Sequence, residues 1–322
     1  MKALVLHAYG PPESLTFEDV PDPVPAAGEV LVQVLATSVN PYDWHYMRGE
    51  PRIARLMPGG PRRPHATILG CDLAGRVEAV GEGVTAFRPG DDVYALLPHG
   101  AYAEYVSVPE DLLAPKPANL SHAQAAAMPM AAVTALVALR GVEAGQKVLV
   151  NGASGGVGTF AVQLAKALGA QADAVCGTAN VELARSLGAT EVTDYRKEDF
   201  TRSGRRYDVV LDIAGRRSLP ACRRLLDRTG AFVVVGGPAG RWVQPAGHVF
   251  AALAAGPFAR RRVVLADAVG CDKKAALGEL AGYAESGAVT PVIDRTYPFD
   301  DLREAIAYQE MGHAKGKVVI TR

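Results

Sequence analysis

The run Asn151-Gly152-Ala153-Ser154-Gly155-Gly156-Val157-Gly158 has the residue types that bring a backbone close to a phosphate. Glycine turns tightly and carries no Cβ to hold a ligand away. A helix starting behind such a run adds unpaired N–H groups and the positive end of its dipole. The chemistry served is the binding of a dinucleotide pyrophosphate. Ala153 replaces the first glycine of the standard Gly-x-Gly-x-x-Gly pattern, so the run alone also fits an ordinary tight turn. Its context decides for the dinucleotide: a β-branched strand, Lys147–Asn151, precedes it, and Val157, Phe160, Ala161, Leu164 and Leu168 follow at helical spacing until Gly169.

Selection between the two nicotinamide dinucleotides depends on the second strand. Enzymes that prefer NADH place an acid there, about 20 residues beyond the loop, on the ribose 2′-hydroxyl. Here the place is taken by Cys176-Gly177-Thr178-Ala179-Asn180. With no carboxylate to repel a 2′-phosphate, NADPH is expected rather than NADH. Thr178, Asn180 and Tyr195 can hydrogen-bond that phosphate, and Arg185, Arg196 and Lys197 can add charge. The alternative for each of these cations is a solvated surface. Ala214-Gly215 and Gly236-Gly237 end later strands of the same unit, where ligands of open sheets bind.

Metal chemistry finds little support. The cysteines, Cys71, Cys176, Cys222 and Cys271, are scattered without any CxxC or CxxH spacing. His7, His65, His99, His122, His248 and His313 show no ligand spacing and are assigned no chemistry, apart from a position near the cofactor for His313 through the tail.

The elements that must hold the loop are legible as patterns. Residues before about 115 read as short strands, with Val30, Val32 and Val34 in period-2 alternation and further strands at Gly75–Val80 and Ala101–Val108. Gly and Pro punctuate them, and the stretch Pro58–Pro64 is expected to be a surface loop. From about Ser121 strands alternate with helices. Ala172–Cys176, Glu191–Tyr195, Asp208–Ile213, Ala231–Val235 and Val263–Ala266 join Lys147–Asn151 in a six-stranded, doubly wound parallel sheet. After about 270 come a helix, a strand at Pro291–Arg295, a helix at Asp300–Gln309 and a strand at Lys317–Thr321.

Bulk composition narrows the partner. With 49% apolar and 21% charged residues the 322-residue chain suits two soluble domains. Lys plus Arg equals Asp plus Glu, 34 of each, so no net field draws it to nucleic acid or anionic lipid. No apolar stretch reaches the length of a membrane span, and the start, Met1–Leu6, reads as a strand rather than a signal peptide. A small-molecule partner, a cytoplasmic location and no membrane association are expected.

Several separated motifs resemble the medium-chain dehydrogenase/reductase superfamily, in its zinc-independent quinone oxidoreductase (zeta-crystallin-like) branch. They are Asn40-Pro41-Tyr42-Asp43 with Arg48-Gly49, Gly70–Val77, Pro89–Val93, Val133–Leu136, Ala153–Gly158, Asp194-Tyr195 and Gly316–Ile320. The resemblance implies an α/β fold: a GroES-like β-barrel catalytic domain over 1–119, completed by 271–322, and a Rossmann domain over 120–270. It implies a homodimer, paired near Val263–Ala266. Zinc-dependent relatives carry Cys at the Asn40 position and Gly-His-Glu at Gly70-Cys71-Asp72, so no zinc is expected.

The same resemblance implies site residues. Asn40 would contact nicotinamide ribose or substrate, with His45 and Tyr46 as proton donors and Asp43 orienting the loop. Thr134, Ala153, Ser154, Gly155, Gly156, Val157, Gly177, Thr178, Asn180, Tyr195, Ala214, Gly236 and Lys317 would hold the cofactor. The competing readings are an aromatic wall for Tyr46, a solvent-facing His45 and a packing role for Thr134. Lys or Arg is frequent in relatives at the Ala179 or Val181 position, and this chain has neither. The expected reaction is hydride transfer from NADPH to a quinone or α,β-unsaturated carbonyl (enone). The alternatives are an NADPH-binding protein without turnover, and an enoyl-thioester reductase whose acidic carrier docks on Arg52, Arg55, Arg62 and Arg63.

Overall fold

The computed structural model describes residues 1–52, 55, 64–65, 67–236, 262–268 and 270–322. The expected loop at 58–64, all but its last residue, lies outside the described residues, as do Arg62, Arg63, Gly237 and His248. The chain forms two compact units. One comprises Met1–Val133, Asp272–Gly287 and Pro291–Arg322; the other comprises Thr134–Cys271 and Ala288–Thr290.

The first unit is built on β3 (Glu29–Val39), whose Val30, Val32 and Val34 are buried as their alternation requires. Strands and helices are numbered along the chain. The main sheet runs β14 (Ile293–Pro298), β15 (Lys317–Thr321), β3, β4 (Asp72–Val80), β5 (Asp92–Leu96) and β7 (Leu113–Pro115), with β6 (Tyr105–Pro109) also on β3. All these pairings are antiparallel except β14 with β15. A separate hairpin joins β1 (Lys2–Leu6) to β2 (Leu15–Asp19). The strand expected from Ala101 begins only at Tyr105. Before it, the backbone of 101–103 bonds instead to Leu69, Gly70 and β1, which turns these residues into the core.

One core packs β3 valines against Leu73, Val77, Val93 and Leu113. A second gathers Leu4, Leu6 and Leu15 with Met47 of α1 (Pro41–Arg48), Val318 and Ile320 of β15, and Leu302 and Ile306 from near the C-terminus. Each such side chain contributes about 1.5–3 kcal/mol on burial. The tail is therefore part of the first unit's core.

The domain boundary moves. The sequence pattern puts residues 120–133 at the start of the second domain, whereas in the structure they fall in the first unit. Helix α2 (His122–Ala126), opened by a Ser121–Gln124 capping box, buries Ala125 and Ala126. Small side chains allow that helix to lie directly on β3 and β4. Helix α3 (Pro129–Ala138) then runs across the boundary. Residues 288–290 join the second unit, because Gln163 bonds Thr290 at both its N–H and its carbonyl, at 2.9 and 3.0 Å.

The second unit is a parallel sheet in the order β10 (Glu191–Asp194), β9 (Gln171–Cys176), β8 (Lys147–Asn151), β11 (Tyr207–Asp212), β12 (Leu226–Val234) and β13 (Arg262–Leu265). The chain winds outward from β8 in both directions, so the β8–β11 pair is the topological switch point where open sheets bind ligands. Helix α4 (Gly156–Ala167) buries Phe160, Ala161, Val162 and Leu164. Gly158 lets that helix approach: a Cβ there would stand 2.1 Å from the Gly152 carbonyl oxygen. Gly158→Ala is expected to cost about 1–3 kcal/mol of stability. Urea unfolding checks this, and an unchanged midpoint would mean that the strand–helix contact has room to spare.

Candidate active site

In the second unit, Gly152 takes a φ of +100°, open to glycine and strained for other residues, and turns the chain off β8. Gly155 is the N-cap of α4, and no side chain caps the helix. The first amides of α4, at Gly156 and Val157, are thus left for an anion. Ser154 is tied to the next loop, where the Asn180 amide donates to its Oγ at 3.1 Å. Asn180 Oδ1 is buried with no partner among the described residues. At the switch point, the Asn151 amide donates to Asp212 at 2.8 Å, and Asp212 accepts the Gly215 N–H at 3.0 Å. That carboxylate, missed in the sequence, fixes the Ala214-Gly215 turn. Gly236 follows β12, where a Cβ would lie 2.6 Å from the Ile213 carbonyl oxygen. Thr134 is half-buried on α3. An uncapped helix, an orphaned acceptor and glycines at close approaches fit a dinucleotide.

One expectation needs correcting. No acid follows β9 in sequence, but the neighbouring strand supplies one: Asp194 of β10 is in register with Cys176, the last residue of β9. The Thr178 hydroxyl donates to Asp194 at 2.6 Å, and the Arg196 N–H donates at 3.0 Å. The Thr178 bond, helped by Arg196 and Lys197, holds the Asp194 pKa below the usual carboxylate range. Thr178 is therefore engaged by this acid. Gly177 lies against the ring of Tyr195, which is exposed.

In the first unit two of the predicted residues, Asn40 and Lys317, converge on Asp72, which is fully buried. Its carboxylate accepts from Ser38 Oγ (2.5 Å), Asn40 Nδ2 (3.0 Å), Lys317 Nζ (2.9 Å) and the Met130 N–H (2.7 Å). Lys317 Nζ also donates to Asn40 Oδ1 at 2.5 Å. Asn40 and Lys317 are 2% and 3% exposed, so both side chains are spent on this network. Asp43 accepts the Asn40 N–H at 2.8 Å and so fixes the start of α1. Burial, aided by Asp72, pushes the Asp43 pKa up to about 6. Cys71 is a buried thiol that donates to the Pro98 carbonyl at 3.2 Å, and burial raises its pKa well above the ordinary range.

Helix α1 separates the two expected proton donors. Residues 45 and 46 are adjacent in the helix, so their side chains do not face each other, whereas 42 and 46 lie one turn apart. Tyr42 and Tyr46 have ring centroids 6.4 Å apart, and Tyr46 accepts the His65 N–H at 3.1 Å. His45 instead stacks on Trp44 at 3.7 Å. Burial lowers the His45 pKa. The imidazole that meets Tyr46 is His99, 4.4 Å away between centroids. His99 shows no ligand spacing in the sequence, and its local signal is the Gly100 turn that follows it. Among the described residues no cluster of three or more His, Cys, Asp or Glu side chains could hold a metal.

Two family models match the chain: the alcohol dehydrogenase GroES-like domain over residues 26–118 and the zinc-binding dehydrogenase model over 187–320. A chloroplast envelope quinone oxidoreductase homolog of Arabidopsis thaliana is 34% identical over 99% of this chain and 98% of its own length. The chain belongs to the medium-chain dehydrogenase/reductase superfamily, in its quinone oxidoreductase branch. It is an oxidoreductase with a GroES-like and a Rossmann-like domain. A chloroplastic NADPH-dependent alkenal/one oxidoreductase of the same plant is also 34% identical, over 99% of the chain and 79% of its own length. The solved quinone oxidoreductase of Coxiella burnetii superposes with a TM-score of 0.87 at 29% identity, covering 100% of this chain and 99% of that one. Among the described residues of this oxidoreductase no helix is long and apolar enough to cross a membrane.

Two predictions follow from the buried charges. Lys317→Met leaves Asp72 unpaired and is expected to cost about 3–5 kcal/mol. The double variant with Asp72→Asn should recover part of that loss in urea unfolding; a single variant as stable as wild type would refute the pairing. For Asp43 the folded pKa lies above the ordinary 3.8, so the folded state holds its proton longer. Its contribution to stability is present below pH 4 and is lost as pH rises through about 6. Asp43→Asn keeps the acceptor, so it should gain on wild type by on the order of 3 kcal/mol between pH 4 and 7 and gain nothing further above that. Parallel melts across this range would show it.

Proposed function

We propose that this oxidoreductase passes a hydride from NADPH to the conjugated carbon of a quinone or enone, without zinc. The reading is carried by the state of Asn40, Cys71 and Asp72, the positions at which zinc-dependent relatives bind the metal. The Asn40 amide is held by Lys317 and Asp72, the Cys71 thiol is a buried donor to a carbonyl, and an ammonium already neutralises Asp72 at 2.9 Å. A dication added beside that ammonium would be repelled, and a buried neutral thiol is a poor ligand. These residues do not fit zinc. A conjugated acceptor needs no Lewis acid of that strength, because the charge that develops on its carbonyl oxygen is stabilised by hydrogen-bond donors.

When bound, NADPH supplies the hydride. The α4 amides with Ala153, Ser154, Gly155, Gly156 and Val157 hold its pyrophosphate, and Gly177, Asn180 and Tyr195 hold the adenosine end. Asp194 is satisfied by Thr178 and Arg196, so its charge is not aimed at the ribose diol, and Arg196 and Lys197 stand by to meet a 2′-phosphate. Asn40 and Lys317 act here as positioning residues for α1 and β15. The Tyr42–Tyr46 face of α1 receives the substrate. Dimerisation would extend the sheet at β13, its outer strand among the described residues, and four free cysteines suit the cytoplasm.

The enoyl-thioester alternative loses one of its supports, since Arg55 donates to the carbonyls of Gly49 and Arg48 and lies over Tyr9. The test is NADPH oxidation with 9,10-phenanthrenequinone by chelator-treated protein. Turnover is expected, and its absence across quinones and enones would overturn the reading. Gly156→Asp sets a carboxylate against the pyrophosphate and should weaken NADPH binding roughly tenfold or more, read by calorimetric titration.

A further inference from the structure

The turn Thr178–Asn180 follows β9 in the second unit and is exposed at Thr178. The Asn180–Ser154 bond ties it to the loop read as the pyrophosphate site. Beside it stands Asp194, buried, followed by Tyr195, Arg196 and Lys197, all exposed. The Tyr195 hydroxyl lies close to Gly177, 3.3 Å from where a Cβ would stand. The Thr178 bond lowers the Asp194 pKa, so this carboxylate is ionised at neutral pH. An ionised carboxylate only accepts, so the Thr178 hydroxyl gives its single proton to Asp194, 2.6 Å away. What Thr178 Oγ1 then offers a ligand is lone pairs. A ribose 2′-hydroxyl can donate to them. A 2′-phosphate dianion has no proton to give, and it also meets the charge of Asp194. Arg196 and Lys197 favour the phosphate, although Lys197 Nζ already stands 3.8 Å from Asp194.

We propose that Asp194 is a positioning residue for cofactor choice: it holds the Thr178 hydroxyl as an acceptor, which takes the 2′-hydroxyl of NADH directly and the 2′-phosphate of NADPH only when that phosphate brings a proton. The proposal rests on the dinucleotide reading of this unit and goes beyond it by naming what tempers the preference supplied by Arg196 and Lys197. NADH is therefore bound as well as NADPH. As NADPH binds, a proton from solvent joins a phosphate oxygen and is donated to Thr178 Oγ1, while the Thr178 proton stays with Asp194. Other titratable groups at the turn do not take up protons near pH 7: burial pushes the Cys176 thiol up to about 11, and Tyr195, Arg196 and Lys197 are of types that ionise far above neutrality.

The experiment is calorimetric titration of the full chain with NADP⁺ and NAD⁺, and with 2′,5′-ADP and 5′-AMP as their adenosine ends. NADP⁺ binding to wild type at pH 7 should take up protons, read from enthalpies in buffers of different ionisation heat, and NAD⁺ binding should not. In Asp194→Asn the side-chain oxygen keeps the Arg196 N–H and the new NH₂ donates to Thr178, which turns the Thr178 proton toward the ligand. The affinity ratio of NADP⁺ to NAD⁺ should then rise about tenfold, and the proton uptake should fall. In a Thr178→Val background the same change should gain far less, because no hydroxyl is left to reverse, and in a Thr178→Ser background the full gain should return. An unchanged ratio in Asp194→Asn, an equal gain in the Val background, or no proton uptake by wild type would overturn the assignment and leave the dinucleotide reading in place. Failure of both cofactors and both fragments to bind would defeat that reading and the proposal with it.

Discussion

Asp72 pairs with Lys317 where neither is open to solvent, and much of the first unit is arranged around satisfying its carboxylate. Its two oxygens accept hydrogen bonds from β3, the start of α1, the start of α3 and β15. A buried ion pair offsets its desolvation only when every lone pair and proton finds a partner. Lys317 places two of its three N–H donors, on Asp72 and on Asn40. Because Lys317 is on β15, the charge pair also requires that strand to be seated beside β3. The same bonds set the direction of the Asn40 amide: a cation faces its oxygen and an anion its nitrogen.

From that fixed point the character of the first unit follows. Asp43, Cys71 and Tyr102 are buried beside one another, and burial raises the pKa of all three. The lowered values of His45 and His99 have the same first cause. Apart from the Asp72–Lys317 pair, the surroundings favour uncharged groups. Such a setting suits the stabilisation of a charge that appears only during reaction, since fixed donors act more strongly where water is scarce. The second unit works by another principle, presenting backbone amides and glycine clearances to a ligand that brings its own charge.

The parts legible in the sequence were those whose signals are local. Val30, Val32 and Val34 announce a strand by alternation. The run from Asn151 to Gly158 announces a strand, a tight turn and a helix through turn chemistry and 3.6-residue spacing. The order of strands and helices after Ser121 gives a parallel sheet, because parallel neighbours need crossovers. The unit to which residues 120–133 belong is not legible in the sequence, because a short alanine-rich helix carries no sign of which sheet it will cover.

What only the tertiary structure decided are pairings between residues far apart in the chain. Asp194 reaches the end of β9 through strand register, which a one-residue slip would change, and so an acid stands where the linear reading found none. His99 meets Tyr46 because the β5–β6 connection folds back on α1, which lies far earlier in the chain. Lys317 looked like a cofactor ligand by its place in a motif, and its burial beside Asp72 gives it a different task. Sequence fixes which groups can bond and how each segment repeats; which groups meet depends on the summed packing of the whole unit, and no single segment contains that information.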